Sequence, residues 1–158
     1  MEPLPIGLAW RFASWLPSFL LRWFFPRERL ARLVDIDLRP RHDPVTIYGG
    51  ESPEIHIWIV LANRGYFSIE LDRLTVEITA GAVVTQLHHL RRTQLLPNQQ
   101  IEIFVRGSFT AEQTRLLAIQ MKSNSVEMQF FSEFNSKIHD FSVSTGRLAG
   151  INSRTVNL

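Results

Sequence analysis

The sequence predicts an all-β protein that carries a hydrophobic helical segment in front of its β domain. From residue 34 onward, apolar side chains recur at every second position, in runs separated by turn residues roughly every eight to twelve positions, the pattern of short β-strands. Before that point, residues 4–25 (LPIGLAWRFASWLPSFLLRWFF) hold two charges and three of the four tryptophans. That composition is typical of a segment that contacts lipid.

The length of the chain indicates one domain and an appendage. Single domains most often contain about 100 to 150 residues, and this chain has 158. We therefore predict a membrane-associating helical segment over 1–33, a β-sandwich domain over 34–148 and a C-terminal tail over 149–158. The hydrophobic share of 45% argues against disorder, and the lack of cysteine excludes disulfides, zinc–thiolate sites and thiol nucleophiles.

The positive charge is concentrated near the N-terminus. Residues 1–41 hold seven arginines and four acids, whereas residues 42–158 hold ten basic and eleven acidic residues. A nucleic-acid-binding domain would be expected to carry a basic stripe on its own folded surface. The sequence therefore predicts no nucleic-acid partner.

The N-terminal segment has the pattern of an amphipathic helix interrupted by a proline. Pro17 removes a backbone hydrogen bond, which predicts two short helices over about 8–16 and 18–25. The polar side chains of the segment recur at steps of three and four residues and share one helical stripe: Arg11, Ser14, Ser18 and Arg22. The predicted membrane anchor consists of the large apolar side chains around that stripe: Trp10, Phe12, Trp15, Leu16, Phe19, Leu20, Trp23, Phe24 and Phe25.

Three placements of this segment are compatible with its sequence. A full crossing needs about 20 apolar residues, whereas Arg11 and Arg22 have ten residues between them. This spacing favours an in-plane or re-entrant monotopic anchor. A single tilted span is the second placement, and a helix packed on the protein's own core or on a partner subunit is the third.

A basic cluster accompanies the apolar segment: Arg11, Arg22, Arg27, Arg29 and Arg32. Arginines close to a membrane are attracted to anionic headgroups by about 1 kcal/mol each. Positive residues also mark the cytoplasmic side of a membrane. We therefore expect a membrane-associated protein that contacts lipid through its first 33 residues and holds its β domain on the cytoplasmic side.

The alternation after residue 34 predicts the strands of an immunoglobulin- or fibronectin-like antiparallel β-sandwich. The predicted strands cover 34–38, 55–61, 69–78, 83–90, 101–105, 117–121, 126–131 and 138–143. The inward parity changes across Asp72 and Arg73, which predicts a bulge or corner and a strand break there. Thr110 and Gln113 form a capping box, which predicts one short helix over about 111–116.

Residues 55–74 (IHIWIVLANRGYFSIELDRL) resemble the water-stress and hypersensitive-response domain of the group 2 late-embryogenesis-abundant proteins. In that family a strand ends in Asn-Pro-Asn; Asn63 matches, whereas Arg64 and Gly65 replace Pro-Asn. Gly81 and the corner at Leu96 and Pro97 extend the resemblance over about 55–145. The resemblance implies a non-catalytic β-sandwich, often tethered by an N-terminal hydrophobic segment and linked to membrane or stress-protective roles, and it assigns no functional residues.

Candidate catalytic and metal-binding residues are scattered. His88 and His89 are adjacent on a predicted strand and so point to opposite faces, which argues against a shared metal. Asp35 and Asp37 share a strand face, but nothing in the sequence supplies the further oxygens that calcium or acid catalysis needs. We therefore expect no enzyme activity, no cofactor and no metal.

The predicted partner surface comprises Trp58, Phe104 and Phe131 on outward strand positions, together with Arg91 and Arg92. The alternative is that the three aromatic side chains are covered by the N-terminal segment, the short helix or a sheet edge. The expected function is a membrane-anchored, non-enzymatic β-sandwich module that binds a protein or lipid partner. The alternative function is an accessory subunit of a membrane complex whose N-terminal helix packs against transmembrane helices.

Overall fold

The computed structural model describes residues 18–40, 42–81, 83–123 and 126–157. Within these ranges the helices are α1 (Ser18–Phe24), α2 (Arg27–Ala31) and α3 (Ala111–Lys122). The strands are β1 (Val34–Leu38), β2 (Val45–Tyr48), β3 (Glu54–Asn63), β4 (Ile69–Ala80), β5 (Val83–His89), β6 (Thr93–Leu95), β7 (Gln100–Ser108), β8 (Val126–Ser136), β9 (Phe141–Ser144) and β10 (Ser153–Val156).

The first sheet is built around β3. Strand β7 pairs antiparallel with one edge of β3 along most of its length. The other edge is shared by β2, which pairs with the first half of β3, and by β1, which pairs with the second half. Strand β10 extends the sheet beyond β2 in parallel orientation. The sequence had predicted antiparallel strands throughout, and β10 is the exception in this sheet.

The second sheet is built around β4 in the same way. Strand β8 pairs with one edge of β4 over its whole length, and β9 follows β8. Strands β5 and β6 share the other edge of β4. Side chains from both sheets fill one core between them, which confirms the predicted β-sandwich.

The core follows from the alternation of the sequence. Every second side chain of β3 is fully buried, namely Ile55, Ile57, Ile59 and Leu61. The second sheet contributes Leu71, Leu74, Val76, Met128, Phe130 and Phe134, which are also fully buried or nearly so. Burying one such side chain contributes about 1.5 to 3 kcal/mol. The hydrophobic effect therefore fixes which face of each strand points inward.

The predicted change of parity in β4 is confirmed, but the predicted strand break is wrong. The register against β8 shifts between Leu71, which pairs with Phe134, and Arg73, which pairs with Glu133. Asp72 is thus the extra residue of a β-bulge, and pairing continues on both sides of it. A bulge moves the inward positions from odd to even residue numbers without ending the strand.

The capping box is confirmed, and the strand predicted over 117–121 is wrong. The Thr110 side chain accepts from the Gln113 backbone N–H at 3.2 Å, and the Thr110 N–H donates to the Gln113 side chain at 3.0 Å. The helix that begins there continues to Lys122 instead of ending near residue 116. Leu117, Ala118 and Met121 are buried at helical spacing, so packing on the core extends the helix.

Three further differences concern short elements. The strand predicted over 138–143 begins only at Phe141, because the Ser136 hydroxyl holds a turn by accepting from the N–H groups of Ile138 and His139. Strands β2 and β6 were not predicted. Residues 149–158, predicted as a tail, contribute β10, which is ordered by its backbone pairing with β2.

Candidate functional site

Helix α1 has one face against the sandwich and one face in solvent. Leu21 and Phe25, which are four residues apart, pack against the hydrophobic core. Trp23 and Phe24 point the other way, with exposed fractions of 77% and 48%. The inward pair corresponds to the predicted alternative in which the segment packs on the protein's own core. The outward pair is a large apolar surface that the described residues leave uncovered.

Polar and aromatic contacts hold α1 at one end of the sandwich. The Arg22 Nε donates to the Ile138 carbonyl at 3.1 Å, and His139 Nε2 lies 3.5 Å from the Arg22 carbonyl. The ring of Phe25 meets the ring of Phe67 edge-on, with 4.9 Å between centroids. Helix α1 is therefore joined to the turn after β8, and Phe25, which follows α1, is joined to the loop after β3.

The loops at this end are joined by one buried side chain. The Asn63 amide donates to the carbonyls of Phe67 at 2.8 Å and Leu96 at 3.1 Å, and its oxygen accepts from the Gly65 N–H at 2.9 Å. Asn63 thus links the loop between β3 and β4 to the loop between β6 and β7. Both loops carry exposed apolar side chains, Tyr66 and Leu96, at the same end of the sandwich as Trp23 and Phe24. We call Trp23, Phe24, Tyr66 and Leu96 the apolar end.

The predicted basic cluster lies beside the apolar end. Arg22, Arg27, Arg29 and Arg32 are exposed. The Arg29 guanidinium lies 5.1 Å from the centre of the Phe25 ring, and its Nη1 donates to the Phe24 carbonyl at 3.0 Å. Cation–π and backbone contacts therefore hold one positive charge close to the exposed aromatic side chains.

Four residues of the predicted anchor lie outside the described residues, namely Trp10, Phe12, Trp15 and Leu16, as do the side chain of Phe19 and Arg11 of the predicted basic cluster. Leu20 is half-buried at the start of α1. Among the residues that the structure describes, no helix has both the length and the hydrophobicity to cross a membrane.

Trp58 and Phe104 meet on the outer face of the first sheet, as their strand parity predicts. They are directly paired across β3 and β7, with 4.7 Å between ring centroids. His56 contacts Phe104 at 5.0 Å, and Tyr48 contacts His56 at 4.6 Å. Arg39 completes the row, with its guanidinium 4.8 Å from the Trp58 ring. We call these five side chains the aromatic row.

The predicted partner surface did not include His56, Tyr48 or Arg39, although His56 is two residues from Trp58 on β3 and so shares its outward parity. The alternation in β3 was a usable signal for His56. Tyr48 belongs to β2, whose four residues give too little periodicity to identify a strand. Arg39 follows β1 and reaches the row because its N–H bonds to the Trp58 carbonyl at 3.0 Å.

The other predicted partner residues lie elsewhere. Phe131 is on the outer face of the second sheet, where it pairs with Thr75 and Ser144. Arg91 and Arg92 lie between β5 and β6, and the Arg92 Nε donates to Asp72 Oδ1 at 2.9 Å. The structure therefore brings Trp58 and Phe104 together and separates Phe131, Arg91 and Arg92 from them.

The two adjacent histidines face opposite ways on β5. His88 is exposed, and its Nδ1 lies 3.1 Å from the Thr75 hydroxyl. His89 is half-buried, and burial, together with the positive charge of Arg91, lowers the pKa of its imidazole. Among the described residues, no three acidic or histidine side chains converge on a point that could hold a metal ion.

No protein-family model matches the chain, and no curated protein matches it. Solved structures do resemble it. Target SoR45 of the Northeast Structural Genomics Consortium gives a TM-score of 0.54 at 9% identity, over 78% of this chain and 89% of that chain. A Bordetella pertussis protein provisionally named ApaA gives 0.46 at 13% identity, over 77% and 89%.

A protein provisionally assigned to the late-embryogenesis-abundant class gives a TM-score of 0.43 at 11% identity, over 93% of this chain and 88% of that chain. Its class name is that of the family that residues 55–74 resemble. The match to SoR45 shows a shared fold alone.

Proposed function

We propose that this protein is a non-enzymatic β-sandwich held at a membrane surface by its N-terminal segment, where it binds a partner. The observation that carries the proposal is the apolar end, in which α1 is fixed to the sandwich while Trp23 and Phe24 remain exposed. The sandwich would stand on the membrane with the end that bears α1 toward the lipid. The positive-inside rule, applied to the basic cluster, supports a position on the cytoplasmic side as part of this proposal.

The free energy available at the apolar end supports this placement. Full burial of one large apolar side chain contributes about 1.5 to 3 kcal/mol. Tryptophan and tyrosine are also the side chains that favour the boundary between lipid and water, because each has an apolar body and a polar group. Trp23 and Tyr66 would therefore lie at headgroup level, with Phe24 and Leu96 beside them.

The basic cluster adds a second attraction that depends on the lipid. Each arginine near an anionic membrane surface contributes about 1 kcal/mol. Arg27, Arg29 and Arg32 continue the chain directly from the apolar end, so headgroups would reach both. Lipid binding would therefore have an apolar part and an electrostatic part, and these can be measured separately.

Flotation of the full-length protein with vesicles tests the apolar part. Replacing Trp23 and Phe24 together by serine should lower the vesicle-bound ratio about tenfold or more, since 1.4 kcal/mol corresponds to a factor of ten. The matched control replaces Leu116 and Ile119 by serine, an exposed apolar pair on α3 at the opposite end. Equal losses in both variants, or a wild-type protein that does not bind vesicles, would refute the proposal.

The electrostatic part is tested by changing Arg27, Arg29 and Arg32 to glutamine. Binding to vesicles that contain phosphatidylserine should fall severalfold per arginine, and binding to phosphatidylcholine vesicles should change little. The matched control changes Arg91, Arg92 and Arg147, which are exposed elsewhere on the sandwich. A loss of the same size for both triple variants would show that net charge matters and that the position of the cluster does not.

The aromatic row supports a second candidate function, an accessory subunit of a membrane complex. Aromatic and arginine side chains dominate the energetics of protein interfaces, and Trp58, Phe104 and Arg39 combine both on a sheet face. Native-membrane purification in mild detergent should then retain stoichiometric partners, and Phe104→Ala should release them. Phe131→Ala is the matched control on the other sheet. Purification of the wild type as a lone monomer would refute this candidate.

A further inference from the structure

A cavity lies at the end of the sandwich opposite α1. It has a volume of about 500 Å³ and is formed between the turn that joins β2 to β3, one face of α3 and Asn157 after β10. Small-molecule sites in proteins typically measure roughly 300 to 1,000 Å³ and are lined mainly by apolar groups. The cavity is therefore large enough for a ligand and has the usual character of a binding site.

Small side chains on α3 create the space. Ala111, Thr114 and Ala118 follow one another at steps of three and four residues and line the cavity together. The Thr114 hydroxyl donates to the Thr110 carbonyl at 3.0 Å, so its hydrogen-bonding capacity as a donor is used within the helix. What this face presents to the cavity is mostly methyl groups.

The wall of the cavity that faces α3 also lacks large side chains. It contains Gly49 and Gly50, which have no side chain, and the buried Pro53. Gly50 has a φ of +102°, and a Cβ placed on it would contact nothing within 4 Å. The Gly49 N–H donates to the Val156 carbonyl at 2.9 Å, which joins this wall to β10 and closes the third side.

Charge at the cavity has one sign. Among the described residues that line it, Arg115 is the only charged one, and its side chain is exposed, as expected at the opening. Ile119 also lines the cavity and is 56% exposed, so the apolar surface continues from the interior to the rim. An apolar interior with one cation at the opening complements an apolar chain that ends in an anion.

We infer that this cavity binds a single-chain anionic amphiphile, with its acyl chain against α3 and its carboxylate or other acidic group on Arg115. This site is separate from the apolar end and does not depend on the proposed membrane attachment. A charge-assisted hydrogen bond from the guanidinium would fix the acidic group. Apolar burial between Ala111, Ala118 and the glycine-containing turn would supply most of the affinity.

The test uses full-length protein in phosphatidylcholine vesicles and myristate that carries a photoreactive diazirine in its chain. After irradiation and proteolysis, mass spectrometry locates the labelled residues. In the wild type we expect label on α3. In Ala111→Phe the amount of label on α3 should be at least severalfold lower, because the new side chain fills the cavity from an exposed helix position. Glu112→Phe adds the same bulk at the neighbouring residue, which does not line the cavity, and should label as the wild type does.

Head-group charge and the source of the chain are tested separately. Arg115→Glu should reduce labelling of α3 by the photoreactive myristate severalfold, and a photoreactive alkylammonium of the same chain length should label α3 weakly in the wild type. Phosphatidylcholine with a photoreactive chain should spare α3, whether or not it labels residues 1–33. Folding of each variant is checked by its thermal unfolding transition.

Any one of four results would overturn the inference. The first is label confined to residues 1–33. The second is equal labelling of α3 by myristate and alkylammonium. The third is an equal loss of labelling in Ala111→Phe and Glu112→Phe. The fourth is labelling of α3 by the photoreactive phospholipid as strong as that by myristate, which would identify a bilayer lipid as the ligand.

Discussion

The ring of Phe25 meets the ring of Phe67 edge-on at 4.9 Å between centroids, and this contact joins the N-terminal helices to the sandwich. Phe25 directly follows α1, and Phe67 lies in the loop between β3 and β4. Edge-on aromatic pairs are worth about 0.5 to 1.5 kcal/mol beyond the burial of their area. A movement that carries Phe25 away from the loop between β3 and β4 would break this contact.

A double-mutant cycle should measure that contact. Phe25→Ala and Phe67→Ala should each lower the free energy of unfolding, with a coupling energy of about 0.5 to 1.5 kcal/mol. Urea denaturation provides the measurement. Phe24→Ala combined with Phe67→Ala is the control, because Phe24 points to solvent, and a coupling of the same size in that pair would contradict the assignment.

Asn63 should be the most sensitive polar residue of the described sandwich. Asn63→Ala removes the donors of the Phe67 and Leu96 carbonyls, so we expect a loss of about 1 to 3 kcal/mol in the free energy of unfolding. Asn63→Asp should cost more, because it places a carboxylate against those carbonyls. Gln94→Ala, at an exposed strand position, is the control. A cost for Asn63→Ala as small as the control's would contradict this prediction.

Even a methyl group added at Gly107 should lower the free energy of unfolding. It lies on β7 opposite Ile55, and a Cβ there would overlap Leu87 of β5, which is buried. Gly107→Ala should therefore destabilise the fold by about 1 to 3 kcal/mol. Adding Leu87→Ala should cost less in this background than in the wild type.

Gly146→Ala is the matched control for this overlap, since a Cβ at that position contacts nothing within 4 Å. It should change the free energy of unfolding by no more than about 0.5 kcal/mol. Costs for Leu87→Ala that are identical in the two backgrounds would show that Gly107 and Leu87 do not interact.

His89 should make the fold sensitive to acid. Its pKa is lowered in the folded state by burial and by Arg91, so the unfolded chain takes up the proton at a higher pH than the folded chain does. The free energy of unfolding should therefore fall as the pH drops through the ordinary histidine pKa of about 6.5. Urea midpoints measured from neutral pH downward should fall less steeply in His89→Gln, and parallel pH profiles would contradict the prediction.

The alternation of the sequence was sufficient to predict most long strands and their buried faces. In β3 and β4 a strong two-residue period is reinforced by packing, so local pattern and tertiary structure agree. Residues 117–121 show the opposite case. Their apolar run fits a strand or a helix, and the choice is made by burial of Leu117 and Met121 against the core, which is not visible in the local sequence.

For the candidate surfaces, the sequence could predict which single residues point outward but not which of them are neighbours. Parity placed Trp58 and Phe104 on outward positions, but period two cannot give the register between β3 and β7, and that register makes them neighbours. The cavity beside α3 had no signal in the sequence, since alanine, glycine and threonine become a site only when a helix and a turn face each other. Strand β10 was not predictable either, because it is ordered by backbone hydrogen bonds with β2, which is distant in the sequence.

Strand β3 runs from the end of the sandwich that bears the cavity to the end that bears α1. Its ten residues extend about 33 Å at about 3.3 Å per residue. Electrostatic screening at physiological ionic strength reduces a membrane's field within about 8 Å, so several screening lengths separate Arg115 from a bilayer at the other end. Under the proposed membrane placement, a charged ligand at the cavity would therefore experience nearly the same electrostatic potential whatever the charge of the lipids at the other end.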